Sequence, residues 1–149
     1  MDWNQRWSRP VPLQVAEELE FYRELFGMIL EDLGEYDPGQ STIVEGAALL
    51  PELIYKTNIN PNRVLYMVPT KAFQIRHYSQ REFIHYILKD CKAPDQAFEN
   101  WMMRDHLFGK EILLQAQKFG YGTILVDGVR NIEEQYTKVS NHFGFSQSA

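Results

Sequence analysis

Cys91 is the only cysteine of the chain, so no internal disulfide can form, and a reducing, cytoplasmic setting is the expectation. Long apolar runs are missing too. None approaches the roughly 18 residues that a bilayer-spanning helix needs. The opening MDWNQRWSRP has no apolar core of the signal-peptide kind, so no membrane partner is expected. The four histidines and Cys91 show no paired ligand spacing, which predicts no zinc site. Positive charge is scarce. With 15 Lys and Arg against 20 Asp and Glu, the net charge of -5 argues against broad binding to nucleic acid. No G-x-S-x-G and no convincing nucleophile–base pairing occur. Repeats, low-complexity tracts and linkers are absent, and 149 residues suit a single domain spanning 1–149.

One stretch imitates a phosphate-binding loop. Gly34 to Thr42, GEYDPGQST, has nearly the spacing G-x-x-x-x-G-K-[ST], with Gln40 in the place of the lysine. Such a loop works by leaving a strand and opening a helix, so that its amides converge on phosphate. Here the predicted context is reversed, from helix into strand, and Pro38 removes one amide. Gly34 therefore reads as a helix stop, and Asp37-Pro38-Gly39 as a turn.

Periodicity organises the rest. Val15, Leu19, Tyr22, Phe26, Ile29 and Leu33 form one apolar stripe, predicting a helix from Pro12 to Glu35. TIVEG, 42–46, is a β-branched run that reads as a buried strand, followed by a helix from Ala47 to Lys56. VLYMV, 64–68, is a second strand. Thr70 can cap a helix to Gln80, and another runs from Arg81 to Asp90. Pro94 to Phe119 is a long helix ended by Gly120. TILV, 123–126, is a third strand, and Asn131 caps a last helix reaching about His142. Only SQSA at the end reads as a disordered tail. Short apolar strands alternating with amphipathic helices argue for a parallel sheet covered by helices. Ligands of such sheets bind beyond the carboxyl ends of the strands.

Each candidate residue has two readings. Glu45 closes TIVEG, where phosphoryl-transfer enzymes hold magnesium through water, or it simply caps the next helix. Arg76 and Arg81 follow the second strand and suit a lid over phosphate, because guanidinium binds oxyanions bidentately. The alternative is a solvated basic face, with His77, Arg81 and His85 sharing one side of a continuous helix. Asp105 interrupts the apolar stripe of Phe98, Trp101, Phe108 and Ile112 and needs a partner, with Arg104 beside it. Trp3 and Trp7 sit in a segment read as irregular, either packed on the body or walling a substrate.

The segments STIVEGAALLPELI, YMVPTKAFQIRHYSQREFI, AFENWMMRD and ILVDGVRNIEE together resemble the carboxyl-terminal part of small P-loop kinase-like proteins of the adenylate-kinase or small-molecule-kinase type. The likeness covers most of the chain. It implies a parallel three-layer α/β sheet, here with three strands, and ATP and Mg2+ as ligands. It implies that Glu45, Arg76 and Arg81 are catalytic and that Arg81 and Arg104 bind phosphate. It also implies that Asp127, Gly128 and Val129 meet the nucleotide. The family's opening strand, lysine-bearing loop and helix, a unit of roughly 30 or more residues, are not among these residues. The resulting expectation is an ATP-dependent phosphotransferase relative that is inactive or weakly active alone. Two further readings stand beside it. One is an assembly protein, a homo-oligomer or one completed by a partner chain, because strand edges left facing a gap invite pairing. The other is a domain that holds a phosphorylated ligand with Arg76, Arg81 and Arg104.

Overall fold

The computed structural model describes residues 2–37 and 39–145. Pro38, in the predicted turn, and the SQSA tail lie outside them. Seven α-helices and two strands are present among the described residues, in the order α1 Trp3–Ser8, α2 Val11–Gly34, α3 Pro51–Lys56, β1 Leu65–Pro69, α4 Lys71–Tyr78, α5 Glu82–Leu88, α6 Pro94–Lys118, β2 Gly122–Val126 and α7 Ile132–His142. A 3-10 turn, Pro61–Arg63, leads into β1.

The sheet corrects the expected fold class. It holds only β1 and β2, paired in parallel with Met67 opposite Ile124. The predicted three-strand, three-layer sheet does not form, and the molecule is mainly helical. TIVEG is the strand that fails. Residues 42–46 are irregular and exposed, and Ile43 is 87% accessible. A β-branched run becomes a strand only when a neighbour accepts its ladder hydrogen bonds, and residues 42–46 lie on neither open edge of the two-stranded sheet. The helix expected from Ala47 starts later, at Pro51, after Gly46 at φ 155°. Pro51 at the first helical position gives up an amide that would be unsatisfied there anyway.

Other boundaries follow local chemistry. Asp2 and Gln5 form a reciprocal capping box, which makes WNQRWS a helix where the sequence reading left it irregular. Asn131 and Glu134 do the same for α7. The Thr70 hydroxyl accepts from the Phe73 amide and opens α4. Gly120, at φ 75°, lies just past α6, where a left-handed residue suits glycine.

Helix α6 is the spine. One side of its length joins Phe26, Leu50, Leu53, Ile54 and Val68 through Ile112 and Ala116. Nearer its start, Ala97, Trp101 and Met102 pack with Trp7, Ile84 and Leu88. Each large apolar side chain so buried stabilises the fold by about 1.5–3 kcal/mol. Gly109 permits the close crossing of α6 over β1, since a Cβ there would lie 2.7 Å from Val68 Cγ1. At the other end of the pair, His142 of α7 meets the Val64 carbonyl through Nε2 at 2.9 Å.

Candidate functional site

Beyond the carboxyl ends of β1 and β2 the chain makes two turns held together. The Thr70 amide donates to the Val126 carbonyl at 2.9 Å, tying the start of α4 to the end of β2. The next residues, Asp127 and Gly128, form a tight turn in which Asp127 Oδ1 accepts from the Val129 amide at 2.9 Å. Gly128 sits at φ 83°, a conformation that favours glycine. The Arg76 guanidinium lies over it, because a Cβ on Gly128 would fall 2.6 Å from an Arg76 terminal nitrogen and 2.9 Å from the Phe73 ring. Phe73 is sandwiched between charges and rings: Arg76 is 5.7 Å from its centroid and the His77 ring is 4.1 Å away.

Of the residues singled out in the sequence, the fold thus brings Arg76 to the Asp127–Val129 turn. Arg76 is exposed and has no carboxylate partner among the described residues. Its planar fork remains open to an oxyanion.

Arg81 has a different setting. Two helices form, as the sequence reading expected, with the first ending at Tyr78 rather than Gln80, and Arg81 caps α5 in an extended conformation. His77, Arg81 and His85 therefore do not share one helical face. The Arg81 guanidinium stacks 4.5 Å from the Tyr78 ring, on the side where Tyr78 and Phe83 meet Trp101. No hydrogen bond, ion pair or ring contact among the described residues joins it to the Asp127 turn.

Arg104 is 8% exposed and already engaged. It reaches Glu18 Oε2 with one nitrogen at 2.8 Å and donates to Asp105 Oδ1 through Nε at 2.8 Å. Gln74 of α4 donates to the other Asp105 oxygen at 3.3 Å, and the Tyr22 hydroxyl donates to Glu18 Oε1 at 3.1 Å. Asp105 thus finds the partner its place on an apolar stripe demands. Burial still raises its pKa above the usual carboxylate range, against the opposing pull of Arg104. Tyr22 is pushed up to about 12, first by burial and then by the Glu18 carboxylate. Sequence reasoning missed Glu18, Tyr22 and Gln74. The only signal was Glu18 and Tyr22 four apart on α2.

Glu45 stands exposed on the irregular segment, away from any strand end. It belongs to no group of three His, Cys, Asp or Glu side chains that could hold a metal ion; none exists among the described residues. The described residues do not fit the Mg2+ that the family resemblance implies. Cys91 is buried, and that burial raises its thiol pKa. Among the described residues no helix is long and apolar enough to cross a membrane. Neither a known protein family nor a curated protein nor a solved structure matches this chain.

Proposed function

We propose that the chain holds a nucleotide or a phosphorylated small molecule beyond the carboxyl ends of β1 and β2, as a relative of ATP-dependent small-molecule phosphotransferases that does not turn over ATP alone. The observation behind this reading is Arg76 lying over Gly128 with no carboxylate partner among the described residues. A guanidinium in that position offers two parallel donors to a phosphate. Phosphoryl transfer asks more, because it is mostly positioning and charge stabilisation around the transferred group. The sequence contains no G-x-x-x-x-G-K, and the residues described give magnesium no cluster of acids.

Calorimetric titration with inorganic phosphate, ADP and ATP tests the reading. Binding that falls about tenfold or more in Arg76→Ala supports it, on the scale of a charge-assisted hydrogen bond. Equal binding by Arg76→Ala overturns it. Magnesium-dependent ATP turnover by the pure chain overturns the statement about activity.

A second reading, self-assembly, has one observation in its favour. Both β1 and β2 keep an unpaired edge, while Ile43 and Val44 stand exposed without a sheet partner. Open edges and an apolar extended run are complementary partners for strand addition. Light scattering across protein concentrations decides it, and a constant 17.5 kDa species removes it.

A further inference from the structure

We infer that Lys71, His106 and Lys110 form an oxyanion subsite on the α6 side of α4, suited to one phosphate group, free or carried on a small molecule. The crossing of two helices assembles it. Gln74 of α4 reaches Asp105 at 3.3 Å and the Met102 sulfur at 3.6 Å, while earlier in the chain Val68 lies against Gly109. From Val68 to Gln74 the contacts on α6 therefore run backward, from Gly109 to Met102. Helix α4 thus runs against the direction of α6. Lys71, one turn before Gln74 on the same face, then falls opposite His106. Lys110 follows His106 by four positions and stands on the same side of α6.

Positive charge gathers here with no acid to offset it among the described residues. Neither Lys71 nor Lys110 has a carboxylate partner among them. The acids nearest in sequence are engaged elsewhere. Asp105 is held by Arg104 and Gln74, and Glu111 accepts from the Gln115 side-chain amide at 2.9 Å. Burial lowers the His106 pKa, and the charges acting on it, Lys71 from α4 and Lys110 from its own helix, lower it further. Lys110 is exposed, and Lys71 and His106 are half-buried, so a solute can reach all of them.

Chemistry selects the ligand. An ammonium has donors and no acceptor, and a neutral imidazole adds one N–H. The cluster therefore suits a compact group rich in lone pairs and negative charge. Lysines bind phosphate as point charges, which fits a tetrahedral group approached from several sides. A cation is repelled, and an apolar ligand leaves the donors unmet.

The subsite is separate from the Arg76–Gly128 turn. Lys71 and Arg76 stand five positions apart on α4, which turns their side chains about 140° from each other around the helix axis. Arg76 lies over Gly128, and Lys71 is on the α6 side. The inference does not rest on the Arg76 reading.

Proton NMR of the histidine side chains in the full chain tests it. Inorganic phosphate is the probe, and chloride at matched ionic strength is the reference. The His106 signal is the one lost in His106→Gln. With phosphate His106 should titrate at higher pH than with chloride, because a bound anion favours the imidazolium. At fixed pH the response should saturate in the millimolar range. Lys71→Ala and Lys110→Ala should each weaken phosphate about two- to fivefold, the scale of exposed charge pairs, and Lys71→Arg, which keeps the charge, should bind nearly as the parent does. Arg76→Ala should leave the His106 response in place. Phenyl phosphate tells the sources apart: a stronger response than with phosphate supports a phosphomonoester as occupant, and a weaker one supports the free ion. Three results overturn the inference: a His106 titration that phosphate does not move, a response unchanged when both lysines are alanine, or a response lost in Arg76→Ala.

Discussion

The Trp7 indole lies flat on that of Trp101, with ring centroids 4.4 Å apart and planes 12° from parallel. The contact fastens the short first helix to the spine of the fold. Asn100 completes the junction by donating from its side-chain amide to the Trp7 carbonyl at 2.8 Å. Six residues are too few for a helix to be stable in water by itself. Helix α1 therefore depends on this packing. Trp7 is 1% exposed, and Trp7→Ala should cost about 3–5 kcal/mol, the usual range for removing a buried aromatic. Denaturant unfolding measures it as a lower midpoint. A loss under about 1 kcal/mol would mean that α1 is not docked in solution.

Arg104 and Glu18 give a second test. The pair is mostly buried, so deleting one member strands the other away from water. Arg104→Met alone should destabilise by about 3–5 kcal/mol. Removing both charges, as Arg104→Met with Glu18→Leu, leaves Asp105 with Gln74 and relieves one stranded acid. The double variant should be more stable than Arg104→Met. A double-mutant cycle from chemical denaturation reads the difference directly. Additive losses would show that the two side chains do not interact energetically.

The helical frame was largely legible, and the sheet was not. The stripe from Val15 to Leu33 gives α2, since a helix meets its backbone hydrogen bonds internally and needs only one apolar face. Pro94 and Gly120 mark α6 by the same local logic. TIVEG has strand composition as good as that of VLYMV, but a strand exists only through a neighbour, and composition does not say whether one is there. In the site, Asp105 was recognisable as a buried acid in need of a partner. Its partners were only half legible: Arg104 is adjacent, while Gln74 and the link to Glu18 depend on how α2, α4 and α6 cross. Arg76 was singled out because it follows the second strand, but its place over Gly128 was not legible, since it depends on how α4 packs beside the turn after β2. The break before α5 was legible to within two residues, but that Arg81 would lie against the Tyr78 ring was not, because that depends on how the chain turns between the two helices.

Tyr22 makes stability sensitive to alkali. Its hydroxyl donates to Glu18 Oε1, and burial followed by that carboxylate lifts its pKa from 10.0 to about 12. The folded state then keeps a proton that the unfolded chain releases. The stabilisation is complete below pH 10 and is lost as pH rises through about 12. Tyr66, raised mainly by burial, acts in the same direction. Tyr22→Phe keeps the edge-on contact with Phe108, at 5.7 Å, and deletes the titrating group. Unfolding free energy measured from pH 9 upward should fall less steeply in Tyr22→Phe than in the parent chain. Parallel slopes would remove Tyr22 as a cause.

Gly128→Ala separates the shape of the strand-end turn from the charge of Arg76. The costs of the new methyl group are its backbone conformation and its crowding against Arg76 and the Phe73 ring, 2.9 Å away. The residue sits at φ 83°, which L side chains resist, and the new Cβ would lie 2.6 Å from the Arg76 guanidinium. The positive φ alone costs roughly 1–2 kcal/mol, the penalty for a left-handed residue with a side chain. The guanidinium is exposed and long, so it moves aside more cheaply than the backbone does. Stability should therefore drop by at least that amount, with a further cost from the Phe73 ring, measured by thermal or denaturant unfolding, while Arg76 is displaced from over the turn. Phosphate affinity should fall together with the displacement, although no charge has been removed. If Gly128→Ala binds phosphate as the parent chain does, the guanidinium acts from elsewhere, and the turn is only a loop between β2 and α7.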